Sequence, residues 1–331
     1  MRLHSSAPTR LDLAGGTLDI WPLYLFHEGA QTLNAAITLR AECTLSANPG
    51  GGLHVVSEDT GQSLTAKHWS TLTGRDELRL VTGILRFFEA EHLTVVTRSA
   101  SPVGAGLAGS SALNIALCGA LAKWQQRSYT SEELITLALN LEAQVLGIPT
   151  GAQDYRPAMY GGLASVELRP TGVRRQPLAL DPRELEERIV LAHTGESRDS
   201  GINNWEITKR HLDGNQQVVD LFGQIRDVAI VMRQALESQD WPEVGRQLAT
   251  EWALRRQLAP GVSTPKIDML VARGLAAGAS AAKVCGAGGG GCILLLADPS
   301  TTPAIRETLS AAGAQVLDVR IDQDGLRFRT D

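Results

Sequence analysis

Cysteine is scarce in this chain, with Cys43, Cys118, Cys285 and Cys292 the only four among 331 residues. Their separations match neither a zinc-ligand spacing nor a CxxC redox pair, which excludes a zinc ribbon or a thioredoxin-type motif and predicts reduced thiols. Positive charge is not in excess either. Lysine and arginine total 31 against 36 aspartates and glutamates, a net charge of −5 with no basic stripe to offset it, so nucleic acid is not an expected partner. Long hydrophobic runs are missing: the most apolar stretch, residues 108–122, is too short to span a bilayer and is interrupted by Ser110, Ser111 and Asn114, so no membrane partner is expected. After Arg2 the first residues are polar and broken by Pro8, with Asp12 and Asp19 where a signal peptide needs an apolar core. A cytoplasmic protein is the expectation. No repeat of fixed period appears, which excludes a solenoid, and nothing in the sequence bears on oligomeric state.

What is present is an ordinary globular composition, 43% hydrophobic and 20% charged, which excludes a disordered, collagen-like or disulfide-scaffold protein. At 331 residues the chain exceeds what one core usually serves, so two domains are expected. Alternation predicts strands over residues 10–13, 30–47, 53–57 and 93–98. Helices are predicted over 110–124 and 131–147, the second opened by a Thr130-x-x-Glu133 capping box. Residues 168–182 carry Pro170, Gly172, Pro177 and Pro182 and read as a connection, which puts the domains at 1–175 and 176–331. Beyond it the pattern predicts strands at 189–193, 281–284, 292–297 and 315–321, and helices at 215–238, 241–258, 266–277 and 303–312. The fold class is α+β.

Two glycine-rich loops carry the first chemical signal. Residues 102–112 follow a strand and lead into a helix, so open backbone N–H groups and a positive helix end converge there, as anion binding requires. Gly104-x-Gly106-x-x-Gly109 matches the dinucleotide fingerprint, but residues 125–128 supply no acidic partner, so an oxidoreductase reading rests on the glycines alone. Ser110 and Ser111 in the first helical turn instead suit a phosphate-bound magnesium ion, although a Walker-type lysine is missing. The bland alternative is a glycine turn with serine capping. The second loop, Gly286 to Gly291, precedes a strand. Five glycines in six residues there point to close backbone approach, to a ligand or to the first loop, rather than to a flexible hairpin.

On the helix after Thr130, Glu142 falls inside the apolar arc formed by Leu134, Leu137, Ala138, Leu141 and Val145. A buried carboxylate requires a cation, a metal or a set of donors; a buried arginine and magnesium are both open on this pattern. Asp154 follows in the constrained loop Ile-Pro-Thr-Gly-Ala-Gln-Asp, where it is either a turn former or functional, and Arg10 on its strand is either a structural ion-pair partner or functional. Together they suit phosphoryl transfer, a carboxylate to attract an alcohol proton and a guanidinium to stabilise the transferring phosphate.

These residues resemble the GHMP small-molecule kinases over nearly the whole chain. Three motifs carry the resemblance in the family's order: Ala7 to Asp19 (Ala-Pro-Thr-Arg-Leu-Asp-Leu-Ala-Gly-Gly-Thr-Leu-Asp), Pro102 to Ala112, and Lys283 to Cys292 (Lys-Val-Cys-Gly-Ala-Gly-Gly-Gly-Gly-Cys). Within the family the chain looks most like the D-glycero-D-manno-heptose 7-phosphate kinases, through Ala-Gly-Gly of the first motif, the Gly-Ala-Gln-Asp loop and Pro260-Gly-Val-Ser-Thr. The resemblance implies an N-terminal domain like the second domain of ribosomal protein S5 and a ferredoxin-like C-terminal domain, with ATP and sugar between them. It implies that the backbone of Gly104, Ala105, Gly106, Leu107, Ala108, Gly109, Ser110 and Ser111 wraps the ATP phosphates, with Ser111 and Glu142 as Mg2+ ligands. It implies Asp154 as catalytic aspartate and Arg10 as its basic partner, and Asp19, Thr17, Gly16, Gly151, Gly288 and Gly289 on the sugar side.

The chain departs from the pattern in two places. Thr17-Leu18 stands where heptose kinases tend to have Gly-Thr, and Ala108-Gly109 where glycine followed by serine or threonine is commoner. The implied activity is ATP- and Mg2+-dependent phosphorylation of a sugar hydroxyl, the anomeric one of a heptose 7-phosphate. The alternatives are a galactokinase- or fucokinase-type kinase of a free sugar and a non-catalytic sugar and ATP sensor. The acceptor's own phosphate would call on Arg156, Arg198, Lys209 or Arg210, each of which reads equally as surface charge.

Overall fold

The structure, a computed structural model, describes residues 1–73, 78–196 and 201–331, with the backbone alone at 201–203. The first half runs β1 (Arg2–Ala14), β2 (Gln31–Ala47), β3 (Leu53–Ser57), β4 (Gln62–Ala66), α1 (Arg79–Phe87), β5 (Leu93–Ser99), α2 (Gly109–Trp124), α3 (Ser131–Leu146), α4 (Tyr155–Tyr160), β6 (Leu163–Arg169) and β7 (Gly172–Pro177). The second runs α5 (Pro182–Glu186), β8 (Ile189–His193), α6 (Gly201–Leu212), α7 (Gln216–Ser238), α8 (Trp241–Leu258), α9 (Pro265–Ala276), β9 (Ala279–Val284), β10 (Cys292–Ala297), α10 (Thr302–Ala311), β11 (Gln315–Leu317) and β12 (Arg327–Thr330).

Helix starts follow their caps. The Thr130 hydroxyl accepts from the Glu133 N–H while the Glu133 carboxylate accepts from the Thr130 N–H at 2.7 Å, so the predicted capping box forms. Asn215 and Asp240 cap α7 and α8 one way, their side chains accepting from the Val218 and Glu243 N–H groups. Among the described residues no helix is long and apolar enough to cross a membrane.

The first sheet has the order β12-β1-β2-β5-β3-β4, with β6 also on β2 and β7 on β6. Among the described residues only β3 and β5 pair in parallel. Helices α1 to α4 bury their apolar residues, Ile84, Ile115, Ala138 and Tyr155 among them, against Leu45, Val55 and Val95 of this sheet. The second sheet is antiparallel throughout in the order β11-β8-β10-β9, the strand order of a split β-α-β unit and the ferredoxin-like arrangement expected. One core serves both sheets: Leu11, Leu13, Leu33 and Val166 of the first pack in a single cluster with Val190, Leu294, Met232 and Leu248 of the second half.

The expected connection at 168–182 is different. Residues Leu163–Arg169 and Gly172–Pro177 form an antiparallel hairpin on the first sheet, so the expected dividing line at 175/176 runs through β7. The polar composition that suggests a linker is that of an edge strand with no fully buried residue. Strand β12 also crosses back from the second half to pair with β1, and the Arg2 and Asp331 backbones exchange hydrogen bonds of 3.2 and 3.1 Å. The strand expected to reach residue 321 ends at Leu317, and Ile321 instead bridges Ile37.

The glycine loops meet each other, one of the two expected approaches. Gly106 has φ +77, and a Cβ there would stand 2.3 Å from the Cys285 carbonyl oxygen; one on Gly291 would stand 2.7 Å from the carbonyl oxygens of Gly104 and Ala105. The Cys292 N–H donates to the Ala105 carbonyl at 2.9 Å. Gly106→Ala is therefore expected to cost about 2 kcal/mol or more of stability through strain and collision, read as a lower urea midpoint at unchanged slope. An unshifted midpoint would show that the loops do not interlock.

Candidate active site

Where the two loops meet the first motif, the molecule carries a cavity of about 910 Å³ lined by Arg10, Asp19, Gly104 to Ser110, Gly151, Asp154 and Gly286, among others. Strand β5 delivers the chain to this wall, and Ala108, in the left-handed conformation at φ +60, turns it into α2. Seven of the eight loop residues named from the sequence, Gly104 to Ser110, line the cavity. The first turn of α2 thus opens its N–H groups and its positive end toward the space, as an anion requires.

Ser111, next to Ser110 in that turn, is buried and is not on the wall. The buried Glu142 carboxylate accepts from Ser110 Oγ at 2.7 Å, Ser111 Oγ at 3.0 Å and Tyr155 Oη at 2.8 Å. Of the two partners left open by the sequence, the arginine is not what holds it; three hydroxyls do. Burial pushes its pKa up even though all three hydroxyls pull it down, so the site favours a proton or a cation there. Tyr155 carried no signal in the sequence beyond following Asp154.

Arg10 lies on β1, its guanidinium buried. Nε and Nη2 donate to the same oxygen of Asp154, Oδ1, at 2.9 and 2.6 Å, and Nη1 donates to the Gly106 carbonyl at 2.8 Å. Burial works against its charge, but Asp154 and Asp12 outweigh it and raise its pKa. Asp154 stands at the N-terminal end of α4 with its side chain 23% exposed, enough to meet a ligand in the cavity. The structure therefore brings Arg10, Asp154 and the glycine loop together.

Asp19 sits across from that pair. Its carboxylate accepts from the Gln153 N–H at 3.0 Å and from Gln153 Nε2 at 3.3 Å, and a Cβ on Gly151 would stand 2.0 Å from its Oδ2. Only glycine admits the aspartate there. Burial, reinforced by the nearby Asp154, pushes the Asp19 pKa up to about 7.

Thr17 lines the cavity, with φ +74 and its hydroxyl accepting from Arg255 Nη1 at 3.3 Å. Gly16, Gly288 and Gly289 are not on the wall. Gly16 is packed where a Cβ would meet Asp12 and Arg255 at 2.3 and 2.6 Å, and Gly288 where one would meet the Val262 carbonyl oxygen at 2.4 Å. The Gly289 N–H donates to that same carbonyl at 2.8 Å. Gly16 thus makes room for two side chains and Gly288 and Gly289 for backbone, while Gly286 and Ala287 of the third motif line the cavity.

Sequence reasoning missed the ionic group behind the site. Asp12, Glu251, Arg255 and Lys283 are all buried. Arg255 Nη2 reaches Asp12 and Glu251 at 3.3 and 3.1 Å, and Lys283 Nζ reaches Glu251, Asp12 and the Leu13 carbonyl at 3.1, 3.4 and 3.3 Å. Burial raises the Asp12 pKa less than Lys283 and Arg255 lower it, so Asp12 stays ionised. Losing one member would strand a buried charge. Val244, Leu248, Glu251, Arg255 and Leu258 form one buried stripe of α8, so the test that singles out Glu142 would have found Glu251 and Arg255.

Three of the four cations expected for an acceptor phosphate do not line the cavity. The buried Arg156 donates to Glu132, Ala152 and Val173, Lys209 pairs with Asp213, and Arg210 donates to the Leu258 carbonyl at 2.9 Å. Arg198 lies outside the described residues. Arg79, on the wall, has no ion-pair partner among the described residues.

The raised Asp19 pKa has a sign. Between its unfolded value near 4 and its folded value of about 7, the folded protein holds the proton and the unfolded chain does not, so this group's contribution is lost as pH rises. Urea unfolding of wild type and Asp19→Asn from pH 4 to 7 is expected to show the wild type losing stability relative to the variant. A constant difference would place the Asp19 pKa in the ordinary range.

The GHMP kinases N terminal domain family matches residues 79–162, and the GHMP kinases C terminal family residues 232–315. A D-glycero-alpha-D-manno-heptose 7-phosphate kinase of Campylobacter jejuni is 28% identical over 98% of each chain. The bifunctional fucokinase/GDP-fucose pyrophosphorylase of Arabidopsis thaliana is 28% identical over 91% of this chain and 30% of its own length. Among solved structures, one titled a D-glycero-D-manno-heptose 1-phosphate kinase from Bacteriodes thetaiotaomicron has 25% identity and a TM-score of 0.81 over 99% of both chains. With both halves matched and residues of all three motifs on one cavity wall, the chain belongs to the GHMP kinase family and is a kinase.

Proposed function

We propose that the chain is an ATP- and Mg2+-dependent sugar kinase acting on the anomeric hydroxyl of a D-glycero-D-manno-heptose 7-phosphate. The observation that carries the reading is the Arg10–Asp154 pair beside the glycine loop. Arg10 occupies Oδ1 of Asp154 twice over, which leaves Oδ2 to take the proton of an acceptor hydroxyl as its oxygen bonds to the γ-phosphorus. The bond from the γ-phosphorus to the bridging oxygen breaks in the same step, and ADP leaves with that electron pair. The Arg10 guanidinium, fixed and always charged, faces the charge spread over the transferring group. The N–H groups of Gly104 to Ser110 suit the phosphates, and Asp19 and Thr17 suit sugar hydroxyls.

Glu142 and Ser111 suit Mg2+. They would hold the ion, since a carboxylate and hydroxyl oxygens are donors it accepts, and burial, which raises the Glu142 pKa, favours a cation beside that carboxylate. When bound, the ion supplies neutralisation of phosphate charge.

The full set of Arg10, Ser111, Glu142 and Asp154 speaks against a sensor without turnover. An unphosphorylated acceptor is the second reading, favoured by one observation: Arg156, Lys209 and Arg210 do not line the cavity.

Asp154→Asn is expected to lower turnover by about 100-fold or more while ATP affinity stays within about threefold by calorimetry; unchanged turnover removes Asp154 from the chemistry. A coupled ADP-release assay over D-glycero-D-manno-heptose 7-phosphate, the free heptose, galactose and fucose is expected to give the highest kcat/KM with the phosphorylated heptose. A higher value with a free sugar selects the second reading.

A further inference from the structure

Helix α6 escapes the sequence reading, and no motif of the chain includes it, yet its Asn204, Trp205 and Glu206 line the cavity. It packs on α7 and on the short turn Leu23–Phe26 that follows Asp19. Its inner face is Ile207, Thr208 and His211, all buried. Trp205, on another face, leaves 53% of its surface exposed. The Asn204 Oδ1 atom is buried and has no hydrogen-bond partner among the described residues. An apolar aromatic face, an unsatisfied carbonyl oxygen and a carboxylate on one helical turn are complementary to a polyol ring, which offers C–H faces and hydroxyl donors together.

Among the described residues, one polar contact fastens the helix to the Asp19 segment. His211 Nε2 meets His27 Nε2 at 2.8 Å, so one ring donates and the other accepts. Phe26 and Phe222 flank His211 at ring distances of 5.5 and 5.6 Å. Burial, with His211 and Arg226 nearby, holds the His27 pKa down to about 4, and burial lowers that of His211, so both rings are neutral near pH 7 and share the proton. From His27 a ladder of turn bonds, His27 N–H to the Tyr24 carbonyl, Leu23 N–H to Ile20 and Ile20 N–H to Thr17, runs back to the Asp19 site.

Resting on the sugar-kinase reading, we propose that α6 is the acceptor-recognition wall: Trp205 stacks on the sugar ring, Asn204 Oδ1 accepts from a sugar hydroxyl, and the His27–His211 hydrogen bond positions both against Asp19. Trp205 is then a specificity-determining residue, and His27 and His211 are positioning residues that act through it.

The test is steady-state kinetics with D-glycero-D-manno-heptose 7-phosphate, or with whichever sugar of the panel above the wild type turns over, varying sugar and ATP separately. Trp205→Ala is expected to raise the sugar KM about fivefold or more, the scale of an aromatic contact, with the ATP KM within twofold and Trp205→Phe restoring most of the loss. His211→Ala is expected to move the sugar KM in the same direction, and the double variant to be no worse than the weaker-binding single, since the two act as a unit. An unchanged sugar KM in Trp205→Ala, an equal rise in the ATP KM, or additive effects in the double variant overturns the proposal. A wild type that turns over none of the sugars refutes the sugar-kinase reading itself, and this inference with it.

Discussion

A buried guanidinium holds this site together. Arg10 cannot lose its proton in a protein and cannot be buried alone. Its three side-chain hydrogen bonds end on the glycine loop and on Asp154, and its backbone N–H donates to Leu107 at 3.0 Å. One strand residue near the start of the chain thereby fixes the distance between segments 96 and 144 positions further on. The loop is not rigid through its own glycines, which favour disorder. It is held by Arg10 on one side and by the Cys285 to Cys292 segment on the other.

The same logic repeats deeper in the molecule with higher stakes. Asp12, two residues along the strand on the same face as Arg10, joins Glu251, Arg255 and Lys283 in a group of two acids and two bases. Such a group adds little net stability over apolar packing. What it does provide is geometry. Arg255 also donates to the Thr17 hydroxyl and the Gly286 carbonyl, so α8 sets the position of both Thr17 and the third motif.

Most of this was legible where local chemistry and periodicity agree. The strand at Leu53–Ser57, the helix at Trp241–Leu258 and the Thr130 capping box form as the sequence predicts, because each is set by neighbours in the chain. Glu142 was found because a charge on an apolar stripe is an anomaly that needs a partner, although which partner required three dimensions. The β6–β7 hairpin was not legible, since an exposed edge strand rich in arginine has the composition of a linker. Gly16, Gly288 and Gly289, expected on the sugar side, do not line the cavity and are packed against Asp12, Arg255 and the Val262 segment; glycine alone does not distinguish a ligand from a neighbouring part of the protein. Tyr155 and the His27–His211 pair join segments by tertiary contact and leave no periodic trace.

The pairing of β12 with β1 has a consequence for biosynthesis. The outermost strand of the first sheet is supplied by residues 327–330, after the entire second half has been made. A ribosome-bound chain can collapse the region around α1 to α4 early, yet β1 keeps an unpaired flank until residues 327–330 have been made. That flank stays open to pairing with other strands for the whole interval, so the first half does not mature independently of the second.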